Sequence, residues 1–376
     1  MGHPAAIVHR AGADLTQSNL DTGVVQRRVD AFRMRFGVRR PVLLAPMAGL
    51  PAPALSLAVA NAGGLGACGA LLMPPDAIRA WAAGVRAATN GPFQLNLWIP
   101  DPAPRRDPAH EAAWRQVLAA WGPLVPAGAA DATPTDFDAQ CEALLDAAPP
   151  VVSSVMGLFP AAFIVRLKDR GIAWWANIST VAEARAAEAA GADAVVAQGA
   201  EAGGHRGCFD ADAAESGAIG LMALLPAVAD AVRVPVIATG GIGDARGVAA
   251  ALLLGASAVQ IGTAFLRCPE AWPVPWAAAL DGLAPEDTVL TRAFSGRAGR
   301  AVRTAYVRAT ADGPAPSPYP IQRALTAAMR ADAVAAGDVD RMQAWAGQAA
   351  ALARAEPAAE TMDRLWNPAA AALGIV

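Results

Sequence analysis

Between Pro41 and Ile261 one unit recurs eight times: a short apolar run, a break, and an alanine-rich stretch with helical spacing. The runs are Pro41–Met47, Leu65–Ala70, Phe93–Ile99, Val151–Gly157, Ile172–Ile178, Ala194–Ala197, Val234–Thr239 and Ala258–Ile261. They are continuously apolar rather than alternating, which is the pattern of strands buried on both faces. Strands that alternate with helices build a parallel sheet covered by those helices. Eight such units are the number that closes a (β/α)8 barrel. A doubly wound open sheet is the other arrangement of these units, but eight of them here show no evident topological switch point. The expected class is therefore α/β, a (β/α)8 TIM barrel.

Two additions interrupt the repeat. A proline-rich excursion from Pro100 to Pro134 reads as an insertion after the third strand, and the chain beyond the eighth strand reads as a C-terminal helical lid. The expected division is a poorly ordered N-terminal arm over 1–23, a barrel over 24–285 and a lid over 286–376. Val25, Val29, Phe32 and Phe36 share one helical face in Val24–Phe36, which is expected to cap the barrel bottom. Thr180-x-x-Glu183 has the form of a capping box, and Asp244 that of an N-cap opening the seventh helix.

Composition narrows the function classes. Hydrophobic residues make up 55% of the chain and the formal net charge is −3, which argues against nucleic acid and anionic membrane as partners. No apolar run approaches the roughly 18 residues of a membrane span. The four cysteines form no CxxC pair, and no apolar leader opens the chain, so reduced thiols in a cytoplasm are expected. His3, His9, His110 and His205 lack metal-ligand spacing, so no metal is expected.

In such a barrel the reactive groups sit where strands end and the following loops begin. Those ends include Ala45-Pro46-Met47, Asn96, Asn177, Gln198–Gly207, Thr239-Gly240-Gly241 and Gln260-Ile261-Gly262-Thr263. Asn96, Gln198 and Gln260 are polar residues within apolar strands; several amides at one mouth suit a heterocycle with donors and acceptors on its edge. Each alone also reads as a structural hydrogen bond. The glycine turns after the seventh and eighth strands are where barrels bind phosphate through backbone N–H groups. The loop AQGAEAGGHRG places four glycines, Gly199, Gly203, Gly204 and Gly207, around His205. It is either a mobile loop or a site where backbone approaches a ligand and the imidazole handles a proton. Cys208 near His205 raises a Cys–His nucleophile as a third reading. Trp98, Met156, Trp174 and Trp175 read first as core and second as pocket wall.

The segments PVLLAPMAGL, NAGGLGACGA, FQLNLW, AQGAEAGGHRG, PVIATGGIGDARG and AVQIGTAFLRCPEA, in this order, resemble the nitronate monooxygenases, formerly called 2-nitropropane dioxygenases. The resemblance covers about Arg40 to Arg300 and continues more weakly through TRAFSGR and the WAGQ at Trp345. It implies a TIM barrel with non-covalent FMN that oxidises alkyl nitronates or nitroalkanes with O2 to a carbonyl compound and nitrite. Carried onto this chain, Ala45, Pro46 and Met47 lie near the flavin ring, with Asn96 and Gln198 at its polar edge. Gly203 and Gly204 border the cofactor; Gly240, Gly241, Gly262 and Thr263 hold its phosphate, with Gln260 and Ile261 beside them. His205 matches the proposed catalytic histidine. Some members set tyrosines and a lysine over the flavin; here the tyrosines are Tyr306 and Tyr319, no lysine follows Lys168, and Arg323 is the candidate replacement. The expected partners are small molecules, with the chain a monomer or homodimer. Two other functions stay open: an NAD(P)H-dependent FMN reductase of quinones or enoyl thioesters, and a flavin- or phosphate-binding barrel without turnover.

Overall fold

The computed structural model describes residues 21–49, 53–131, 133–271 and 273–376; the expected arm lies almost wholly outside them. Helix α1 (Thr22–Phe36) starts slightly before its apolar periodicity does, because Asp21 caps it by accepting a hydrogen bond from the Gly23 N–H at 2.8 Å. Its Phe32 and Phe36 pack under the barrel against Trp175, whose ring meets Phe36 edge-on at 5.0 Å. Leu43, Val151, Val196 and Ile237 complete this plug. The barrel thus has a sealed bottom and an open top.

The barrel strands are β1 (Val42–Leu44), β2 (Gly66–Gly69), β3 (Phe93–Trp98), β4 (Val151–Val155), β5 (Ala173–Ile178), β6 (Ala194–Gln198), β8 (Val236–Thr239) and β9 (Ala258–Ile261). They run parallel in the order β1-β9-β8-β6-β5-β4-β3-β2. The ring closes where Leu43 bridges Leu65 and the Leu44 N–H donates to the Leu65 carbonyl at 2.9 Å. The expected barrel is present, with some strands shorter than their apolar runs.

Helices α2 (Ala54–Asn61), α3 (Pro75–Ala88), α5 (Phe137–Ala147), α6 (Ala161–Asp169), α7 (Val181–Ala189), α8 (Leu221–Ala231) and α9 (Ala245–Leu253) alternate with the strands. The last helix of the chain, α13 (Ala358–Leu373), packs against α9 and α2 and buries Met362, Leu365 and Trp366. It occupies the place of an eighth barrel helix, so what lies over the mouth is the segment between β9 and α13.

The insertion after β3 carries α4 (Pro108–Ala119). Its Trp114 and Leu118 share a small core with Phe294, Tyr306, Leu325 and Met329 of the C-terminal segment, in which α10 (Ala305–Thr310), α11 (Ile321–Leu325) and α12 (Ala327–Ala336) lie. The same segment holds the antiparallel hairpin β10 (Thr288–Thr291) and β11 (Gly299–Val302). A two-residue strand β7 (Gly204–His205) adds to it, with His205 opposite Gly299 and Gly204 opposite Arg300. Among the described residues no helix is long and apolar enough to cross a membrane.

Candidate active site

The C-terminal ends of the barrel strands and the segment above them enclose a cavity of about 990 Å³. His205 and the residues that the resemblance sets around the flavin all line it, whereas Cys208, Trp174, Trp175 and Tyr306 do not. Ala45, Pro46 and Met47 form the wall after β1, Asn96 lies two residues before the end of β3, and Gln198 ends β6. Gly203, Gly204 and His205 come next, with Gly240 and Gly241 after β8, Gln260 and Ile261 at the end of β9, and Gly262 and Thr263 just after it.

The His205 loop is held, not mobile. Gln198 fastens it from below: its Oε1 accepts from the Gly207 N–H at 2.8 Å, and its Nε2 donates to the His205 carbonyl at 3.1 Å. One N–H of that amide is left for a ligand. Arg206, 1% exposed, donates to the carbonyls of Gly199 and Gln198 and ties the loop to the end of β6. Pairing with β11 fixes the loop from the other side.

The His205 ring stands edge-on to Trp98 and Trp345, each with its centroid 4.7 Å away. Its Nε2 lies 2.7 Å from Ser295 Oγ. Ser295 Oγ donates to the Arg297 carbonyl at 3.1 Å, an arrangement that lets it accept from Nε2 and leaves Nδ1 with its lone pair. Burial pushes the imidazole pKa down to about 3, and the guanidinium groups of Arg297, Arg323 and Arg330 act in the same direction. The ring is neutral at neutral pH. Cys208, by contrast, donates its thiol to the Asp210 carbonyl at 3.1 Å, and burial raises its pKa. No Cys–His nucleophile is set up.

Across the barrel floor the amides are linked. Ser153 Oγ donates to Gln94 Oε1 at 2.8 Å, and Gln94 Nε2 donates to Gln260 Oε1 at 2.9 Å. Asn96 Nδ2 donates to Ser153 Oγ at 3.0 Å. This chain locks each side chain and leaves Asn96 Oδ1 and Gln260 Nε2 without a hydrogen-bond partner among the described residues. Gln94 escaped the sequence reading, although the alternation Gln94, Asn96, Trp98 on one face of a strand was the signal for it.

The two glycine turns offer a cradle. Gly240 and Gly241 have φ of +107° and +69°, a region L-residues rarely adopt. The backbone N–H groups of Gly240, Gly241, Gly262 and Thr263 donate to no described residue. Four free N–H groups and the Thr263 hydroxyl on one wall fit the phosphate of a flavin mononucleotide, and the free amide atoms of the floor fit the edge of its ring.

The segment over the mouth contributes Arg323, Arg330, Gln343 and Trp345. Arg330 donates to Gln343 Oε1 at 3.1 Å and to the Arg323 carbonyl at 2.8 Å. Desolvation lowers its pKa to about 10, so it stays charged at neutral pH. Among the described residues lining the cavity there is no Asp or Glu. Tyr319 lies beside Trp98, centroids 5.5 Å apart, whereas Tyr306 is buried away from the cavity with its hydroxyl on the Ala293 carbonyl. Of the four residues read first as core, Trp98 and Met156 line the cavity. Trp174 and Trp175 are core. Ser295, Arg330 and Gln343 sit in the extension and are not singled out by the sequence; Ser295 lies within TRAFSGR, while Arg330 and Gln343 lie in no such motif.

A family model for nitronate monooxygenases matches residues 32–367. The nitronate monooxygenase of Paraburkholderia phytofirmans is 43% identical over 339 residues, covering 88% of this chain and 92% of that protein. That of Pseudomonas aeruginosa is 41% identical over 345 residues, covering 89% and 98%. Among solved structures, the nitroalkane oxidase of Streptomyces ansochromogenes superposes with a TM-score of 0.82 at 37% identity, covering 92% of this chain and 99% of that one. FabK of Thermotoga maritima gives 0.71 at 28% identity, covering 92% and 97%. With the match spanning nearly the whole barrel and the segment over its mouth, the chain belongs to the nitronate monooxygenase family.

Proposed function

We propose that the protein is an FMN-dependent enzyme that oxidises alkyl nitronates with O2 to a carbonyl compound and nitrite, and accepts nitroalkanes by first removing their α-proton. The observation that carries this reading is a neutral His205 with a free Nδ1, in a cavity whose only charged lining groups among the described residues are arginines. Arg323 and Arg330 draw in the anionic nitronate and orient its oxygens. His205 Nδ1 takes the proton from the carbon next to the nitro group, and the bond from Nε2 to Ser295 keeps that lone pair directed. Trp98 and Trp345 hold the ring in place and exclude water around it.

The backbone N–H groups of Gly240, Gly241, Gly262 and Thr263 would hold the FMN phosphate. Ala45, Pro46 and Met47 would border the ring, and Asn96, Gln198 and Gln260 would meet its polar edge. When bound, FMN supplies the electron transfer between nitronate and O2; the protein supplies orientation and electrostatics.

The similarity to FabK keeps a second reading in view, reduction of an acceptor by NAD(P)H on the same scaffold. Anaerobic titration separates the two. Bleaching of the flavin by an alkyl nitronate and not by NADH or NADPH is expected. Bleaching by NADH or NADPH alone would reverse the assignment, and a colourless protein inert to all three would leave a non-catalytic barrel.

A further inference from the structure

Asn177, the penultimate residue of β5, stands on the cavity wall and is 9% exposed, yet its carboxamide makes no hydrogen bond to any described residue. Eight buried side-chain nitrogen or oxygen atoms among the described residues lack a partner; Asn177 is the one residue among their owners that lines the cavity, its Nδ2 being buried against Gly207. Buried amides are normally bonded, and the exceptions call for an explanation. The amide is also wedged in place: a Cβ on Gly207 would come within 1.9 Å of Nδ2, so only glycine at 207 lets Asn177 reach this depth.

Its position indicates what it faces. In the closed ring of strands, β3 stands opposite β8 and β4 opposite β9. The glycine turns follow β8 and β9, so a flat ring tethered there by a phosphate extends toward the wall formed by β3 to β6. That wall carries Asn96 near the end of β3, Asn177 near the end of β5 and Gln198 at the end of the neighbouring β6. A flavin presents at one end a pyrimidine edge of alternating C=O and N–H groups. A carboxamide has both a donor and an acceptor, and a half-turn about its Cβ–Cγ bond exchanges them.

We propose that Asn177 is a further cofactor-binding residue, whose carboxamide hydrogen-bonds the pyrimidine edge of the FMN ring; this rests on the FMN reading of the site. The full-length protein is stripped of flavin and titrated with FMN, and separately with riboflavin, following flavin fluorescence. Wild type is compared with Asn177→Ala and Asn177→Leu. Both variants are expected to bind both flavins about tenfold more weakly, as for one net hydrogen bond, because the ring contact does not depend on the phosphate. The visible bands of bound flavin are expected to shift. Asn177→Leu is expected to melt no lower than wild type without flavin, while the rise in Tm on adding FMN shrinks.

Unchanged affinity for both flavins in both variants overturns the assignment. A fall in the Tm of both flavin-free variants with unchanged affinity makes Asn177 a packing residue, and a raised KM for nitronate with unchanged flavin affinity turns it toward the substrate. A wild-type protein that binds neither flavin removes the FMN reading itself, and is distinct from a loss confined to the variants.

Discussion

At neutral pH the His205 imidazole is uncharged, so in the proposed reaction it serves as a proton acceptor rather than as a counter-ion for the nitronate. That division of labour separates the two substrates. His205→Asn is expected to lower kcat/KM for a nitroalkane by about 10²- to 10⁴-fold, the usual contribution of a general base. Turnover of the preformed nitronate should stay within about tenfold and FMN content should be unchanged; nitrite release measured on both substrates checks this. Equal loss on both would move the role of His205 away from proton removal. The depressed pKa also enters stability. An unfolded histidine titrates near 6.5, whereas His205 titrates at about 3, so between these values the unfolded chain binds the extra proton. Folding free energy should therefore fall as pH drops below about 6.5, by up to roughly 1.4 kcal/mol per pH unit from this group, and be independent of it above. Urea unfolding at pH 7, 6 and 5 should show a shallower decline for His205→Asn than for wild type. An unaltered slope would mean that the imidazole titrates normally.

The elements packed around His205 leave little room for larger side chains beside it. Gly203 abuts the segment over the mouth: a Cβ there would lie 2.5 Å from the Gly347 nitrogen and 2.6 Å from the Ala346 carbonyl carbon. Gly203→Ala is expected to push that segment away, at a cost of about 1–3 kcal/mol, with a lower Tm and faster proteolysis between β11 and α13. An unchanged melting curve would show that the segment seats loosely. Much of the barrel was legible, because continuous apolar runs and Asp244, which accepts from the Gly247 N–H at 3.1 Å, encode local structure directly. What escaped depends on partners far away in sequence. β7 has two residues and no apolar signal of its own; it becomes a strand only by pairing with β11. The box at Thr180 is half realised. Thr180 accepts from the Glu183 N–H, but the Glu183 carboxylate accepts from the Ser179 and Phe209 N–H groups, joining α7 to the loop just after His205. Within the site, strand-end polarity pointed to Asn96, Gln198 and Gln260. Ser295 and Arg330 carry no such mark, and only the folding of the C-terminal segment over the mouth brings them into place.

At the scale of the whole molecule the charge at the mouth opposes the charge of the chain. The formal net charge is −3, yet the described cavity lining carries Arg323 and Arg330 and no carboxylate. Arg323 forms no ion pair among the described residues, so its field is not cancelled by a neighbouring acid. The FMN phosphate would bring its negative charge to the β8 and β9 turns, where free backbone N–H groups face it. A nitronate approaching the opposite lip then meets positive charge, whereas a neutral nitroalkane feels little of it. Salt should distinguish them, since the Debye length shrinks from about 30 Å at 0.01 M to about 10 Å at 0.1 M. Over that range kcat/KM for nitronate is expected to fall several-fold and that for nitroalkane to stay flat. Arg323→Gln should raise KM for nitronate about tenfold, weaken its salt dependence, and leave KM for nitroalkane nearly unchanged. A salt dependence of equal size for both substrates, persisting in Arg323→Gln, would place the effect on the protein as a whole rather than on the arginines at its mouth.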